Sequence, residues 1–398
     1  MSKLKELIDK YCPNGVEPKK IEDVCDILDS QRKPISKAKR VKGVYPYYGA
    51  NGIQDYVNNY IFDGTFLLIG EDGSVINKDN SPVLNWAVGK IWVNNHAHVL
   101  IAKESYNLRY IYYALQIQDV SKIVRGTPPK INQENLRNIT IPMPHIKVQE
   151  EIVKILDRFA EYAAELQAEL QARQEQYEYY RNKLLIFNDI NRGGYASVTW
   201  MKMSEIGTFV RGNGLQKKDF TESGVPCIHY GQIYTHYGTC AINTKSFVNE
   251  ETAKKCKKAH TGDLVFATVS ENVDDVCKCV AWLGDEEICI SGDSLAFCHN
   301  QNPKYLAYYF QTTAFADYKR SKVTGTKVIR LHQSRLEQFV IPIPPLAEQE
   351  RIVSILDKFE AFVNDLSKGL PAEIAAVQEQ YEYYRNKLLS FPKYRLSA

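Results

Sequence analysis

The clearest pattern of apolar and polar residues in this chain is a heptad repeat that occurs twice. The first copy follows a 4,3 spacing through Ile152, Leu156, Phe159, Ala163, Leu166, Leu170, Arg173, Tyr177, Tyr180 and Leu184. The second copy has one 4,4 step and runs through Ile352, Leu356, Phe359, Val363, Leu366, Leu370, Ile374, Val377, Tyr381, Tyr384 and Leu388. Such seams predict two long helices that pack on one another as a coiled coil. Packing of each helix on its own domain is the alternative.

The length of the first helix favours the paired arrangement. A helix from about Ile146 to Phe187 would be roughly 60 Å long at 1.5 Å per residue, too long to bury its seam on one small domain. The second copy contains four additional residues, a stutter of about one helical turn that keeps the seam in phase. Gly369 and Pro371 lie at this point and predict a kink or a short break.

The helices belong to a larger internal repeat. The dodecapeptide QEQYEYYRNKLL occurs without substitution at Gln174–Leu185 and at Gln378–Leu389. The segment Ile141–Phe159 is closely similar to Ile341–Phe359, and the similarity fades further upstream. Each half is therefore a variable region followed by a nearly invariant one. The predicted domains are a first variable domain at 1–144, a central helix at 145–194, a second variable domain at 195–344 and a distal helix at 345–398.

The residue pattern of the variable regions predicts mixed α/β domains. Runs rich in β-branched and aromatic residues, punctuated by Gly and Asn, predict strands in TFLLIG, VLNWAVGKIWVNNHAHVLIA, DLVFATVS and EEICISGDSLAFCHN. The predicted fold class is thus mixed α+β. We expect two globular domains separated by two long helices that pair as a coiled coil, in a pseudo-twofold repeat.

Composition narrows the protein class. A chain of 398 residues with 44% hydrophobic and 24% charged residues is typical of globular proteins. It shows neither an apolar signal-peptide region at its start nor a run of about 18 apolar residues. We therefore expect a cytoplasmic protein without a membrane partner, whose nine cysteines are reduced thiols. The net charge of +3 favours a polyanionic partner only if the basic residues cluster.

Catalytic signatures are missing from the sequence. It contains no phosphate-binding G-x-x-x-x-G-K-[ST] loop, no dinucleotide fingerprint, no [ND]-P-P-[YF] tetrapeptide of amino-methyltransferases, and neither H-E-x-x-H nor G-x-S-x-G. A zinc site at Cys277, Cys279, Cys289 and Cys298-His299 lacks the C-x₂-C spacing, so core thiols are preferred. For His96 and His98 a groove or core position is preferred over a metal. We expect no catalytic residue, no metal and no cofactor.

Basic residues cluster in both variable regions, with tyrosines between them. Cationic side chains attract phosphates, and Arg and Tyr can reach base edges, although a charge run is often only a solvated face. The presence of such a basic cluster in both related halves of the chain favours DNA binding. The candidate DNA-binding residues are Arg32, Lys33, Lys37, Lys39, Arg40, Tyr47, Arg125, Lys130, Lys217, Lys218, Lys254, Lys255, Lys322, Lys327 and Arg330.

Several motifs together resemble the specificity (S) subunit of type I DNA restriction-modification systems. They are CPNGVEPKKIEDV near the start, YPYYGANG at Tyr45–Gly52, WVNNHAHVL at Trp92–Leu100, the duplicated IPMP…QEEIVKILDRF and IPIP…EQERIVSILDKF, and the dodecapeptide. The resemblance implies that each variable domain reads one half of a split target in double-stranded DNA. It implies that the helices form an antiparallel spacer on which two methyltransferase (M) subunits dock, and that restriction (R) subunits join the assembly. It also implies that the chain itself has no catalytic activity.

The dodecapeptide raises a further hypothesis. If both halves of the chain performed the same task, the sequences of the two variable domains should be as similar as those of the two helices, and they are not. Identical helical segments instead suit two copies of one partner protein that bind to a pseudo-twofold scaffold. Recent gene conversion is a competing explanation. The candidate partner-binding residues lie off the seam and are Tyr179, Arg181, Lys183, Tyr383, Arg385 and Lys387. A subunit of a related type II methyltransferase-endonuclease, a protein-binding coiled-coil adaptor and an enzyme with a site at the cysteines stay open as alternatives.

Overall fold

The computed structural model describes residues 3–187, 198–364 and 369–392. These residues form two compact units. One combines the described residues up to Gln167 with those from Ile374 onward, and the other runs from Ala168 to Glu373. Each unit therefore contains one variable domain, the first part of the helical segment that follows it, and the last part of the other helical segment.

The first variable domain is built on one six-stranded sheet. Its elements are α1 (Lys3–Tyr11), β1 (Pro18–Lys20), α2 (Ile21–Val24), β2 (Cys25–Ile27), β3 (Lys42–Gly49), β4 (Gly52–Val57), β5 (Phe62–Gly70), β6 (Leu84–Val93), β7 (Ala97–Ala102), α3 (Leu108–Leu115), α4 (Gln133–Arg137) and β8 (Thr140–Pro142). The sheet order is β2-β7-β5-β6-β3-β4. Strand β1 pairs with β8, and Lys19 lies opposite Ile141. The first and last strands of the domain therefore lie side by side. The strands predicted in TFLLIG and in the VLNWAVGK run are confirmed.

The second variable domain contains two five-stranded sheets. Its elements are β9 (Thr199–Lys202), α6 (Met203–Ile206), β10 (Gly207–Arg211), β11 (Phe220–Thr221), β12 (Val225–Ile228), α7 (Tyr230–Thr235), β13 (Cys240–Ala241), β14 (Ser246–Val248), α8 (Glu250–Lys255), β15 (Lys258–Ala259), β16 (Leu264–Ala267), β17 (Val269–Ser270), β18 (Cys279–Trp282), β19 (Ile288–Ile290), β20 (Ser294–His299), α9 (Pro303–Tyr309), α10 (Thr313–Lys322), β21 (Ile329–Arg330), α11 (Gln333–Glu337) and β22 (Val340–Ile343). The sheet orders are β10-β20-β16-β18-β13 and β11-β14-β12-β19-β15. Strand β9 pairs with β22, with Met201 opposite Ile341, and closes this domain as β1 and β8 close the first.

Long helices follow both domains. Helix α5 (Ile146–Leu185) has 40 residues, as the first seam predicts. The second helical segment consists of α12 (Leu346–Asn364) and α13 (Leu370–Leu389), with a bend at Gly369. The predicted interruption near Gly369 and Pro371 thus coincides with the start of α13. The seam position Leu366, and Lys368 of the predicted break, lie outside the described residues.

The seams make helix–helix contacts inside each unit. In the first unit the ring of Phe159 stacks on Tyr384 with 5.4 Å between ring centroids. In the second unit Tyr180 stacks on Phe359 at 5.7 Å. The residue with the higher number in α5, Tyr180, contacts the residue with the lower number in the second helical segment, Phe359. This order is the one expected for antiparallel helices.

Packing on the domains uses the same helices. Ile152 and Leu156 are buried in the core of the first domain, and Ile352 and Leu356 in that of the second. The two arrangements that the sequence left as alternatives, helix on helix and helix on domain, therefore coexist. The same seam serves both arrangements, because its first turns lie in a domain core whereas Phe159 and Tyr180, further along, contact the other helical segment.

The last turn of each dodecapeptide departs from the predicted seam. Leu184 and Leu388 are half-buried, whereas Leu185 and Leu389 are almost fully buried. Leu185 belongs to the cluster of the second domain, and Leu389 to the cluster of the first. A straight helix drifts from a strict 3.5-residue repeat, and the final turn meets a domain core instead of another helix. The prediction that Leu184 and Leu388 are the buried seam positions of this turn is therefore wrong by one residue. The buried positions are Leu185 and Leu389.

Candidate nucleic-acid surface and helix junction

A buried tyrosine and an arginine hold the basic loop between β2 and β3. The ring of Tyr47 is buried, and its hydroxyl accepts a hydrogen bond from the Ile35 N–H at 3.0 Å. The Arg40 guanidinium lies 4.2 Å from the centre of the Tyr47 ring, and its Nε donates to the Ile35 carbonyl at 3.1 Å. Its Nη1 donates to Asp55 at 3.3 Å. Tyr47 and Arg40 thus lie beneath the loop and fix its backbone; direct contact of either side chain with DNA stays a prediction.

Four lysines project from this fixed loop and from the first residue of β3. Lys37 and Lys39 belong to a single 3-10 turn, and the carbonyl of Lys33 accepts a hydrogen bond from the Trp92 indole at 2.5 Å. Lys33, Lys37, Lys39 and Lys42 are exposed. Within the described part of the chain, none of these four ammonium groups has an ion-pair partner. Flexible cationic side chains on a rigid backbone suit contact with a phosphate backbone.

Arg32 has a different environment from these lysines. Its guanidinium is mostly buried and pairs with Glu71 at 2.6 Å and Asp29 at 3.3 Å. Lys130 joins the same cluster through Glu71 at 3.1 Å. Burial alone would raise the pKa of the Asp29 and Glu71 carboxyl groups. Hydrogen bonds to and charges on His98 and Arg32 outweigh burial, so each pKa is lowered. Lys130 adds to this effect at Glu71. Arg32 therefore stabilises the domain, and its predicted role in DNA binding stays a prediction.

Among the residues that the structure describes, two groups of side chains could hold a metal ion, and one of them lies in this cluster. Asp29, Glu71 and His98 lie within metal-ligand reach of one another. His98, however, contacts Asp29 through Nδ1 at 2.6 Å and the Ile131 carbonyl through Nε2 at 2.9 Å. Because both ring nitrogens are engaged and Arg32 already neutralises the carboxylates, the donor set does not fit a metal ion.

The other set is His260, Asp263 and Cys298 in the second domain. The Cys298 thiol donates to the Asp263 carboxylate at 3.3 Å, and His260 Nε2 lies 3.0 Å from Glu287. Burial is the main cause that raises the pKa of Cys298 to about 11. The hydrogen bond to Asp263 and the raised pKa both fit a protonated thiol at Cys298 in this structure. All nine cysteines are free, and burial likewise raises the pKa of Cys277 to about 12.

Each domain carries an exposed turn at the predicted basic positions before its helix. Arg125 and Lys130 exchange backbone hydrogen bonds of 3.0 and 2.8 Å, and Thr324 and Arg330 exchange two of 2.9 Å. Each turn needs a glycine with positive φ, +86° at Gly126 and +99° at Gly325. Arg125 and Lys327 are exposed, whereas Arg330 lies 3.5 Å from Asp293. Lys322 is half-buried at the end of α10.

The structure brings the remaining predicted lysines together. Lys217 and Lys218 lie on a 3-10 turn, and Lys254 and Lys255 on the last turn of α8. The two segments adjoin because Leu215 packs with Ala253 and Cys256, and because the Lys257 N–H donates to Asn213 at 2.7 Å. All four lysines are exposed, and Lys255 pairs with Glu251 at 3.2 Å. The second domain thus presents a basic surface on a 3-10 turn, as the first domain does.

A duplicated junction joins each domain to its helix, and the sequence analysis did not identify it. The buried Gln149 amide accepts a hydrogen bond from the Asn107 N–H at 2.9 Å and donates to the Pro144 carbonyl at 2.7 Å. Gln349 makes the equivalent contacts with Asn302 and Pro344 at 3.0 and 2.8 Å. The signal in the sequence is the Gln that follows each IPMP or IPIP, together with an Asn before each Tyr-rich helix.

The dodecapeptides pack against the Tyr-rich helices α3 and α9. In the second unit Arg181 donates to Gln311 at 3.3 Å, just after α9. In the first unit Tyr381 donates to the equivalent Gln116 at 3.2 Å, just after α3. Each copy thus contacts the variable domain that it does not directly follow in sequence. Similar docking sites require similar helices, which gives a physical reason for the identity of the two segments.

The six candidate partner-binding residues divide into inward and outward groups. The guanidinium of Arg181 lies 5.1 Å from the Tyr177 ring, and that of Arg385 lies 5.5 Å from the Tyr381 ring. Tyr179 and Tyr383 are 60% and 58% exposed, respectively. Lys183 lies over Tyr179 at 5.7 Å, and Lys387 over Tyr383 at 5.3 Å. The arginines therefore take part in internal packing, while two matched Tyr–Lys pairs face outward.

None of the described helices is both long and apolar enough to cross a membrane.

Comparison with known proteins places these features in one family. Residues 13–176 and 197–376 each match the family described as type I restriction modification DNA specificity domain. A putative type I restriction enzyme specificity subunit of Haemophilus influenzae is 34% identical over 94% of this chain and 96% of its own length. The type I restriction enzyme specificity subunit of Escherichia coli is 32% identical over 72% of this chain and 71% of its own.

Solved structures share the fold at lower sequence identity. An S subunit from M. genitalium matches with a TM-score of 0.54 and 15% identity, over 94% of this chain and 96% of that one. A chain from a structure on the assembly and conformational transition of the type I R-M system matches with a TM-score of 0.59 and 16% identity, over 94% and 97%.

Proposed function

The chain belongs to the type I restriction modification DNA specificity family and is a specificity subunit, and from this premise we propose how its parts divide the work. Each variable domain reads one half of a bipartite DNA target. The helices α5, α12 and α13 set the separation of the half-sites and bind the partner subunits. The observation that carries this division is that the family match falls twice on the chain, once on each domain with its helix.

The DNA-facing side of each domain is the basic surface around its 3-10 turn. In the first domain this surface is the exposed Lys33, Lys37, Lys39 and Lys42, supported from below by Tyr47 and Arg40. In the second domain it is formed by Lys217, Lys218, Lys254 and Lys255, with Lys327 on the exposed turn. A fixed backbone reduces the entropy lost when these side chains meet a phosphate backbone.

The partner-facing side is the pair of outward Tyr–Lys faces. Tyr179 with Lys183, and Tyr383 with Lys387, present one aromatic ring and one cation each in equivalent helical turns. Tyrosine is enriched at protein interfaces, and two equal faces suit two copies of one methyltransferase subunit. Restriction subunits then join through the assembled complex. The chain contributes recognition and no catalysis or cofactor, and it works in the cytoplasm.

A domain exchange tests this division of labour. Residues 195–344 are replaced by the second variable domain of another family member, and the modified sequences in cells that carry the methyltransferase are determined by methylome sequencing. One half of the bipartite target should change while the other half stays. The reciprocal exchange of residues 1–144 should change the other half. A target that changes in both halves, or in neither, contradicts the proposal.

A further inference from the structure

A β-bulge places an exposed apolar side chain directly after the run of exposed lysines in the first domain. Lys42 and Tyr45 of β3 both stand opposite Val57 of β4, so Gly43 and Val44 are additional residues in the strand. A Cβ on Gly43 would lie 2.3 Å from the backbone of Val57 and Asn58, which requires glycine at this position. The bulge therefore turns Val44 away from the sheet, and this side chain is 78% exposed.

The surroundings of Val44 distinguish it from an ordinary exposed apolar residue. Single exposed valines are common on protein surfaces and need no explanation by themselves. Here Lys37 and Lys39 lie on the loop whose backbone is held by Tyr47 and Arg40, and Lys42 begins β3 two residues before Val44. A DNA duplex whose phosphates meet these lysines would bring its base edges close to Val44.

We propose that Val44 contacts the 5-methyl group of a thymine in the first half-site, and this inference rests on the proposed function. Lysine contacts to phosphate fix the position of the protein but do not read the sequence. The apolar group that the major groove offers is the thymine methyl, which apolar side chains recognise. Val44 is thus a specificity-determining residue of the first domain.

The second domain offers a matched control. Ile242 is also β-branched and 65% exposed. It lines a depression together with Asp285 and Glu286, and these carboxylates disfavour the approach of a phosphate backbone. A change at Ile242 should therefore leave DNA recognition unaffected.

The experiment uses the full-length chain bound to its methyltransferase and the target found by methylome sequencing. Each thymine of the first half-site is replaced in turn by deoxyuridine, which lacks only the methyl group. The wild-type complex should bind about four-fold more weakly at one position, as expected for the loss of one buried methylene-sized group. Val44→Ser removes both methyl groups of the side chain. It should bind the thymine duplex more weakly than wild type, with no further loss on deoxyuridine, whereas Ile242→Ser should behave as wild type.

Three outcomes overturn the inference. Wild-type binding that is indifferent to every deoxyuridine, while the target is still recognised, refutes the role of Val44 and leaves the proposed function intact. A first half-site without any A·T pair refutes it in the same way. A wild-type complex that binds DNA without sequence preference would refute the proposed function together with this inference.

Discussion

Gln149 holds the backbone of Asn107 through a 2.9 Å hydrogen bond, although 42 positions separate them in sequence. Its amide also donates to Pro144, so one buried side chain ties α3 to the entry of α5. Gln149→Ala would leave the half-buried Asn107 N–H and the buried Pro144 carbonyl without this partner. We expect it to lower the free energy of unfolding by about 1–3 kcal/mol, measured by urea denaturation.

The junction has a matched position and a control. Gln349→Ala should cost a similar amount in the second domain, because its contacts with Asn302 and Pro344 are equivalent. Glu150→Ala changes the exposed neighbour of Gln149 and should leave stability close to that of the wild type. Equal losses for Gln149→Ala and Glu150→Ala would show that the amide contacts contribute nothing.

The last turn of the dodecapeptide gives a prediction that separates adjacent leucines. Leu185→Ala should lower the free energy of unfolding by about 2–5 kcal/mol, because this side chain is fully buried. Leu184→Ala should cost clearly less, because Leu184 is half-buried. The same order is expected for Leu389 against Leu388 in thermal and urea unfolding. If the 184 and 388 variants were the less stable ones, the strict heptad seam would describe this turn better than the structure does.

The repeats and the long helices were predictable because they are periodic in sequence. The 4,3 spacing predicts α5, and Gly369 with Pro371 predicts the interruption before α13. Which residues of these helices are buried depends on tertiary packing, which the sequence pattern does not show. No local pattern shows that Leu185, instead of Leu184, enters a domain core, since adjacent leucines look alike in a heptad.

The basic surface was predictable in position but not in the role of each residue. A charge run in sequence does not distinguish Arg32, which pairs with Asp29 and Glu71, from Lys37, which is exposed. The acidic partner Glu71 lies 39 positions away in the chain, so the pairing depends on the fold. The Gln149 junction was missed because an isolated glutamine in a helix carries no chemical signature.

The exposed lysines should control the salt dependence of DNA binding. The variant with Lys33, Lys37, Lys39 and Lys42 changed to Gln should bind all DNA sequences more weakly. Each lost phosphate contact should reduce the slope of log K against log salt by about 0.9, measured by fluorescence anisotropy of the complex with its methyltransferase. Lys154, which is exposed on α5 and does not belong to the proposed basic surface, provides the control when replaced by Gln. An unchanged slope in the lysine variant would identify the run as a solvated surface only.

The cluster around Arg32 should make the first domain sensitive to acid. The pKa values of Asp29 and Glu71 lie below their ordinary values in the folded protein, so their ionised forms stabilise the fold at neutral pH. This contribution is lost as the pH falls below about 4, through the lowered pKa values. Arg32→Gln should reduce stability at pH 7 and flatten its decline in acid, measured by urea denaturation at several pH values. A parallel decline in wild type and variant would contradict the assignment.

The outward Tyr–Lys pairs give a test of partner docking that does not depend on DNA. Tyr179→Ala with Lys183→Ala removes an exposed ring and cation, so the fold should stay intact by circular dichroism while capture of one methyltransferase copy weakens. Tyr383→Ala with Lys387→Ala should weaken capture of the other copy, and the fourfold variant should elute alone in size-exclusion chromatography. Arg181→Ala is the contrasting variant, since Arg181 packs on Tyr177 and bonds to Gln311, and it should reduce stability more than docking. Binding of two copies by the fourfold variant would mean that the two identical segments serve only the internal contacts with α3 and α9.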